Sequence, residues 1–150
     1  MPVNSVTIWI PWSIRTPMTE ATRGVLDTSV VIDHDQIDAE RLPDESAITS
    51  VTLAELAAGP HATEDKDERA RRQDRLQWAT AIWDPLPFDA ESARMYGRMF
   101  AAARAAGQSS RARLTDLLIA STAAAHELPL YTRNPSDFAA LKRIVKVVAI

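Results

Sequence analysis

The sequence contains no cysteine, and this absence excludes two kinds of site. Without thiols the chain can form neither a disulfide framework nor a thiolate-bound zinc centre. The three histidines, His34, His61 and His126, do not show the paired spacing that is typical of metal ligands. Any metal ion bound by this chain must therefore be held mainly by oxygen.

Positive charge is not in excess either. Lys and Arg number 17 against 20 Asp and Glu, which gives a formal net charge of −3. A protein that binds nucleic acid by bulk phosphate neutralisation is normally basic, so the net charge argues mildly against such a partner. The cationic side chains lie in polar stretches, however, and a local basic rim around an acidic centre is compatible with this composition.

Long hydrophobic runs are also missing. Residues 6–14 (VTIWIPWSI) are strongly apolar, but they are few, are interrupted by Pro11 and follow no Lys or Arg, which fits neither a signal peptide nor a membrane span. A domain pattern begins near Gly24. We therefore expect an N-terminal extension at residues 1–23, one domain at residues 24–150, a cytoplasmic location and no membrane partner.

Short β-type runs alternate with longer helical runs, which is typical of a parallel sheet covered by helices on both faces. The predicted strands are residues 24–27, 46–49, 85–88, 128–131 and 145–148. The predicted helices are residues 51–58, 64–83, 89–106 and 113–127, with a short one that begins at Asn134 and Pro135. The helix at 113–127 has almost no polar face and should be largely buried. The expected fold class is α/β.

Asp27 closes the first apolar run and should stand at the carboxyl end of a central strand. Open α/β sheets place their functional sites at this edge. The alternative is that Asp27 is only the N-cap of the following helix.

Glu55 lies among apolar residues of the second predicted helix and has no basic partner three or four residues away. A local salt bridge therefore cannot neutralise it. The alternative is a capping box formed by Thr52 and Glu55, although Thr49 and Ser50 are equally good caps.

Asp116 lies in the apolar helix, where only Arg113 can pair with it locally. A carboxylate without a partner is costly to bury, so such groups are normally paired or bind metal. The alternative is a first-turn acid favoured by the helix dipole.

Asp137 follows the same reasoning, but Asn134 and Asp137 could also form a reciprocal cap. Thr28, Thr132 and Asn134 offer hydroxyl or amide groups near these acids, although each is also an ordinary turn or cap residue.

The joint arrangement of the acids is more informative than any one of them. They fall at helix starts or strand ends, so the fold should bring them to one edge of the sheet. Their repulsion there would be severe unless a divalent cation offsets it, and all-oxygen ligands favour Mg²⁺ or Mn²⁺.

Four segments together resemble the PIN domain family and, within it, the VapC toxin ribonucleases. They are residues 25–29 (VLDTS), 50–56 (SVTLAEL), 114–120 (LTDLLIA) and 131–138 (YTRNPSDF), and the resemblance spans residues 24–150. Each motif alone is weak, whereas all four in this order are specific.

The resemblance implies an acidic metal-binding quartet with auxiliary polar residues beside it. The quartet is Asp27, Glu55, Asp116 and Asp137, and the auxiliary positions are Thr28 and Asn134. It also implies a three-layer α/β/α fold with a five-stranded parallel sheet, a homodimer, and a VapB-like antitoxin that occupies a groove between helices and blocks the acidic site.

The expected function is therefore that of a magnesium-dependent endoribonuclease, the toxin of a toxin–antitoxin pair. Metal-activated water would hydrolyse RNA and leave 5′-phosphate and 3′-hydroxyl ends. Candidate RNA-binding residues at the rim are Arg111, Arg113, Lys142 and Arg143, with a solvated surface as the alternative.

The sequence also leaves two alternatives to a toxin ribonuclease. One is a PIN-fold binding module without catalysis, against which the presence of all four acids argues. The other is a phosphoacceptor signalling domain, which needs a pair of acids after the first strand and a Lys after the last, and this sequence has neither.

Overall fold

The structure is a computed structural model that describes residues 21–109 and 111–150. Its elements follow in the order β1 (Arg23–Leu26), α1 (Thr28–Ile32), β2 (Glu45–Ala47), α2 (Ser50–Ala58), α3 (Lys66–Ile82), α4 (Ala90–Ala105), α5 (Leu114–Ala125), β3 (Leu130–Thr132) and β4 (Val147–Ala149). Short 3₁₀ helices lie at His34–Gln36, Ala39–Arg41, Gly59–Ala62 and Pro135–Leu141. Residues 1–20 of the expected N-terminal extension lie outside the described residues.

All strand pairs in the described part of the chain are parallel, in the order β2-β1-β3-β4. Successive side chains of a strand point to opposite faces. Val25 accordingly packs in the cluster with α4 and α5, and Leu26 packs in the cluster with α1, α2 and α3. The predicted α/β class with helices on both faces is confirmed, and α5 is largely buried as expected.

The prediction of a fifth strand at residues 85–88 is wrong, and four strands form the sheet of the described residues. Leu86 alone pairs, through an isolated parallel bridge to Thr49. Its N–H donates to the Ile48 carbonyl at 2.9 Å. Pro85 and Pro87 on either side fix φ at about −65°, far from the roughly −120° of a regular parallel strand, so strand geometry does not continue beyond Leu86.

Four of the helices begin after a residue whose side-chain oxygen accepts a hydrogen bond from the first-turn backbone. These capping residues are Asp27 before α1, Thr49 before α2, Asp65 before α3 and Asp89 before α4. Helix α4 ends just before Gly107, whose φ of +74° is the left-handed conformation in which many helices stop. Within the described residues, no helix combines the length and apolarity needed to cross a membrane.

Gly24 of β1 lies directly against the side chain of Tyr131 in β3. A methyl group there would overlap ring atoms of the buried Tyr131 and would lie 3.4 Å from the Pro129 carbonyl oxygen. We therefore expect Gly24→Ala to lower the free energy of unfolding by about 1 to 3 kcal/mol. Gly97→Ala in α4 is the control, because it meets no atom within 4 Å and should gain about 0.5 to 1 kcal/mol in helix propensity. Urea unfolding measures the free energy of unfolding of both variants. Equal changes in Gly24→Ala and Gly97→Ala would contradict the tight contact between position 24 and Tyr131.

Candidate functional site

The chain folds so that the predicted acids meet at the carboxyl edge of the sheet. Asp27 directly follows β1, and Asp137 lies on the 3₁₀ helix that follows β3. Glu55 lies on α2, and Asp116 lies in the first turn of α5. The charges of the other three acids all act on Asp116. The structure therefore brings together four acids that are far apart in the sequence.

Asp27 is buried and held by three donors. Its Oδ1 accepts a hydrogen bond from the Thr28 N–H at 2.9 Å, and its Oδ2 accepts from Ser29 Oγ at 2.9 Å and Thr132 Oγ1 at 2.8 Å. Burial raises the pKa of Asp27 above its ordinary value, against the effect of these hydrogen bonds. Asp27 is also the N-cap of α1, so the capping interpretation holds as well. Its carboxylate is fixed in direction.

Glu55 takes its hydrogen bond from the residue that follows Asp27. Thr28 Oγ1 donates to Glu55 Oε1 at 2.7 Å and also lies 3.0 Å from Thr52 Oγ1. The capping-box alternative for Glu55 is wrong, because α2 begins after Thr49, whose hydroxyl caps the Thr52 N–H. Thr28 thus links the two acids from adjacent elements.

Asp116 has the least favourable electrostatic surroundings of the four. Its pKa is raised to about 6, first by burial and then by the negative charges of Asp27 and Asp137. Arg113 opposes this rise. The first-turn position also fits the helix-dipole alternative, but burial and like charge outweigh that effect, since the pKa is raised.

Asp137 pairs with Arg113, the residue that precedes α5, and not with a residue of its own 3₁₀ helix. Arg113 Nη1 lies 2.7 Å from Asp137 Oδ1 and 3.6 Å from Asp116 Oδ2. The reciprocal cap with Asn134 is wrong, because the Asn134 side chain makes no capping hydrogen bond. The backbone N–H of Asn134 instead donates to Thr132 Oγ1 at 3.0 Å.

The donor set suits a hard divalent cation, since it consists of carboxylate oxygens with hydroxyl groups beside them. In the described residues, however, no three acids or histidines are arranged so that they could already enclose a metal ion. The carboxylates form an electronegative cluster with the Arg113 guanidinium at one side of it.

Of the four predicted rim cations, only Arg113 contacts the acids. Arg111, Lys142 and Arg143 are exposed and make no ion pair with another described residue. A groove of mixed charge was not predicted from the sequence. Arg71, Arg72 and Arg75 of α3 line a cavity of about 690 Å³ whose wall also includes Thr28, Ile32 and Glu55. The signal for this groove was their spacing, which places three arginines on one helix face.

The raised pKa of Asp116 predicts how stability depends on pH without divalent cations. Its pKa is about 6 in the folded state against an ordinary 3.8, so the folded protein binds more protons between these values. The free energy of unfolding should therefore fall as pH rises from about 4 to about 6, and this contribution should level off above that range. The difference between Asp116→Asn and wild type should grow by about 1 to 2 kcal/mol from pH 4.5 to pH 7. Urea unfolding in EDTA at several pH values measures this difference. If the free energies of unfolding of the two proteins depended on pH in the same way, the raised pKa of Asp116 would be contradicted.

Comparison with known proteins adds independent findings. Residues 24–144, which include all four acids, match the PIN domain family. Ribonuclease VapC5 of Mycobacterium tuberculosis is 41% identical over 135 residues, which cover 88% of this chain and 97% of that protein. Ribonuclease VapC8 of the same organism is 38% identical over 109 residues, which cover 71% of this chain and 96% of that protein.

A solved structure agrees with these sequence matches. The crystal structure of VapBC-5 from Mycobacterium tuberculosis, a member of the VapBC family of toxin–antitoxin systems, superposes with a TM-score of 0.76 at 39% identity. The superposition covers 86% of this chain and 99% of that chain.

Proposed function

The chain belongs to the PIN domain family, and from this premise we propose that it is a metal-dependent endoribonuclease, the toxin of a toxin–antitoxin pair. The observation that carries the proposal is the convergence of Asp27, Glu55, Asp116 and Asp137 at one edge of the sheet. The names of relatives as ribonucleases support the same activity. The phosphoacceptor alternative has no comparable support.

Three of the acids would contribute to phosphodiester hydrolysis in different ways. A divalent cation, Mg²⁺ with Mn²⁺ as a substitute, would supply the positive charge that polarises a scissile phosphate and lowers the pKa of an attacking water. Asp27 and Glu55 are held in fixed directions by hydroxyl donors, so they need little reorganisation to bind a cation. Asp116 is ionised above its pKa of about 6 and would be relieved of repulsion by the added positive charge.

Cleavage of RNA, and the chemical ends of its products, test the proposed substrate and mechanism. Because water rather than the ribose 2′-hydroxyl is the proposed nucleophile, the purified chain should cut single-stranded RNA to 5′-phosphate and 3′-hydroxyl ends. End labelling and mass spectrometry identify them. Asp27→Asn, purified in parallel, controls for contaminating ribonucleases. Products with 2′,3′-cyclic phosphates would contradict the mechanism, and RNA that is bound but not cut would favour the non-catalytic binding module.

The groove beside Glu55 is the proposed binding site of the antitoxin. It is lined by arginines and acids, of which Arg71 and Arg72 pair with Glu68, and by Ile32, an apolar side chain that is 53% exposed. A segment of a VapB-like antitoxin that buries Ile32 would also cover Glu55 and block the site. Ile32→Asp should therefore weaken the complex with the cognate antitoxin, as measured by calorimetry. Leu114→Asp is the control, because Leu114 is 44% exposed but does not line the groove.

A homodimer, which the family resemblance implies, is a further part of the proposal. So is a cytoplasmic location, which is expected from the lack of cysteine and of a signal-peptide pattern. Sedimentation at micromolar concentration tests the dimer, and a purely monomeric species would contradict it.

A further inference from the structure

Arg113 lies beside the acidic cluster and contacts two of its members. Its Nη1 lies 2.7 Å from Asp137 Oδ1 and 3.6 Å from Asp116 Oδ2, so one guanidinium group contacts both acids. We propose that Arg113 is an internal counter-ion that partly offsets the charges of Asp116 and Asp137 in the cation-free protein and competes with the divalent cation for them. This inference rests on the proposed metal-dependent function.

The first argument is electrostatic. Asp116 is repelled by the charges of Asp27, Asp137 and Glu55. Arg113 is the cation that acts on Asp116 against these three carboxylates. Without a metal ion, the folded chain needs a positive charge at this place, because like charges in a partly buried site oppose folding.

The second argument is geometric. No three acids or histidines among the described residues are arranged to enclose a metal ion. Asp137 Oδ1, one of the oxygens that would have to turn toward a cation, instead faces Arg113. A shared cation that takes this oxygen would have to displace the guanidinium group from it.

The third argument is that this exchange is inexpensive. The Arg113 side chain is 36% exposed, and its ion pairs within the described residues involve only Asp116 and Asp137. It can therefore leave without disrupting a buried network. Once displaced, a guanidinium group at the mouth of the site is suited to pair with an RNA phosphate. The predicted role of Arg113 in binding RNA would then follow its release.

The test is a titration with Mn²⁺, without RNA, of protein freed of metal, followed by calorimetry. Arg113→Gln should bind Mn²⁺ about five- to tenfold tighter than wild type, because the competing charge is gone. Arg113→Lys keeps the charge and should stay within about twofold of wild type.

Arg133→Gln is the matched control. Arg133 is 37% exposed and pairs with Asp33 at 3.1 Å, outside the acidic quartet. Its replacement removes the same charge from a similar setting and should change Mn²⁺ affinity by less than about twofold. Equal affinities of Arg113→Gln and wild type, or equal gains in Arg113→Gln and Arg133→Gln, would overturn the proposal.

A measurement on the wild type covers the case in which Arg113→Gln does not fold without metal. The NMR signal of the Arg113 Nε–H, assigned by comparison with Arg113→Lys, should shift to that of a solvent-exposed arginine as Mg²⁺ saturates the protein. An unchanged signal at saturation would refute displacement. If neither wild type nor Arg113→Gln binds Mn²⁺, the proposed function fails as well, whereas binding that is indifferent to Arg113 removes only this inference.

Discussion

Asp116→Asn is expected to lower the rate of RNA cleavage by about a thousandfold and, at the same time, to stabilise the cation-free protein at pH 7 by about 1 to 2 kcal/mol. Both effects have one cause. The carboxylate at position 116 is partly buried beside like charges, which raise its pKa to about 6. An ionised group in such a place costs folding energy, and a shared divalent cation turns the same charge into a favourable interaction.

A gain in stability together with a loss of activity identifies a functional carboxylate. Replacing a carboxylate that only supports the fold should not raise stability. Asp67→Asn is the matched control, because Asp67 is also a first-turn acid of a helix but is exposed. It should lose no more than about 0.5 kcal/mol of helix-dipole interaction and keep full activity. Cleavage of a labelled RNA and urea unfolding in EDTA give the two readouts. An Asp116→Asn protein that is less stable than wild type, or that still cleaves RNA at near wild-type rate, would contradict the assignment.

Removal of divalent cations is expected to reduce RNA cleavage to background, and Mg²⁺ or Mn²⁺ should restore it. The reason is the chemistry of the donor set, since carboxylates and hydroxyls offer only oxygen to a metal ion. Neither the buried Asp27 nor the Thr28-bound Glu55 has a cationic partner in the described residues that could replace the metal during the reaction.

The restoring cation should also stabilise the folded protein. Mg²⁺ at a hundred times its dissociation constant should add about 2.7 kcal/mol to the free energy of unfolding of wild type, and much less to that of Asp116→Asn. Thermal unfolding with and without Mg²⁺ provides the comparison. Activity that persists undiminished in EDTA would remove the basis of the proposed mechanism.

The sequence was sufficient to predict the features that depend on local chemistry. Apolar runs marked the strands, and Asp27 could be placed at a strand end because it closes such a run. Thr49 and Ser50 could both be recognised as possible caps of α2, and the structure shows Thr49 as the cap. The caps Asp65 and Asp89 lie inside the helices predicted from the sequence. The strand predicted around Leu86 failed because the apolar pattern does not show the fixed φ that the two flanking prolines impose on the backbone.

Contacts between distant residues were beyond local patterns. Thr132 Oγ1 donates to Asp27 Oδ2 across 105 positions of sequence. Arg113 was recognised as the local partner of Asp116, but its shorter contact is with Asp137, which a helical spacing rule cannot indicate. The groove lined by arginines of α3 depends on how that helix packs beside α2. The candidate acids could thus be predicted one by one, while their partners required the fold.

The central claim is that these acids converge on one shared divalent cation. Anomalous diffraction from crystals grown with Mn²⁺ tests it most directly, because the signal locates the metal itself. We expect one or two peaks within coordination distance of oxygens from Asp27, Glu55, Asp116 and Asp137, with Arg113 turned away. Saturated crystals that show no peak at this edge of the sheet, or a peak bound only by other residues, would contradict the account.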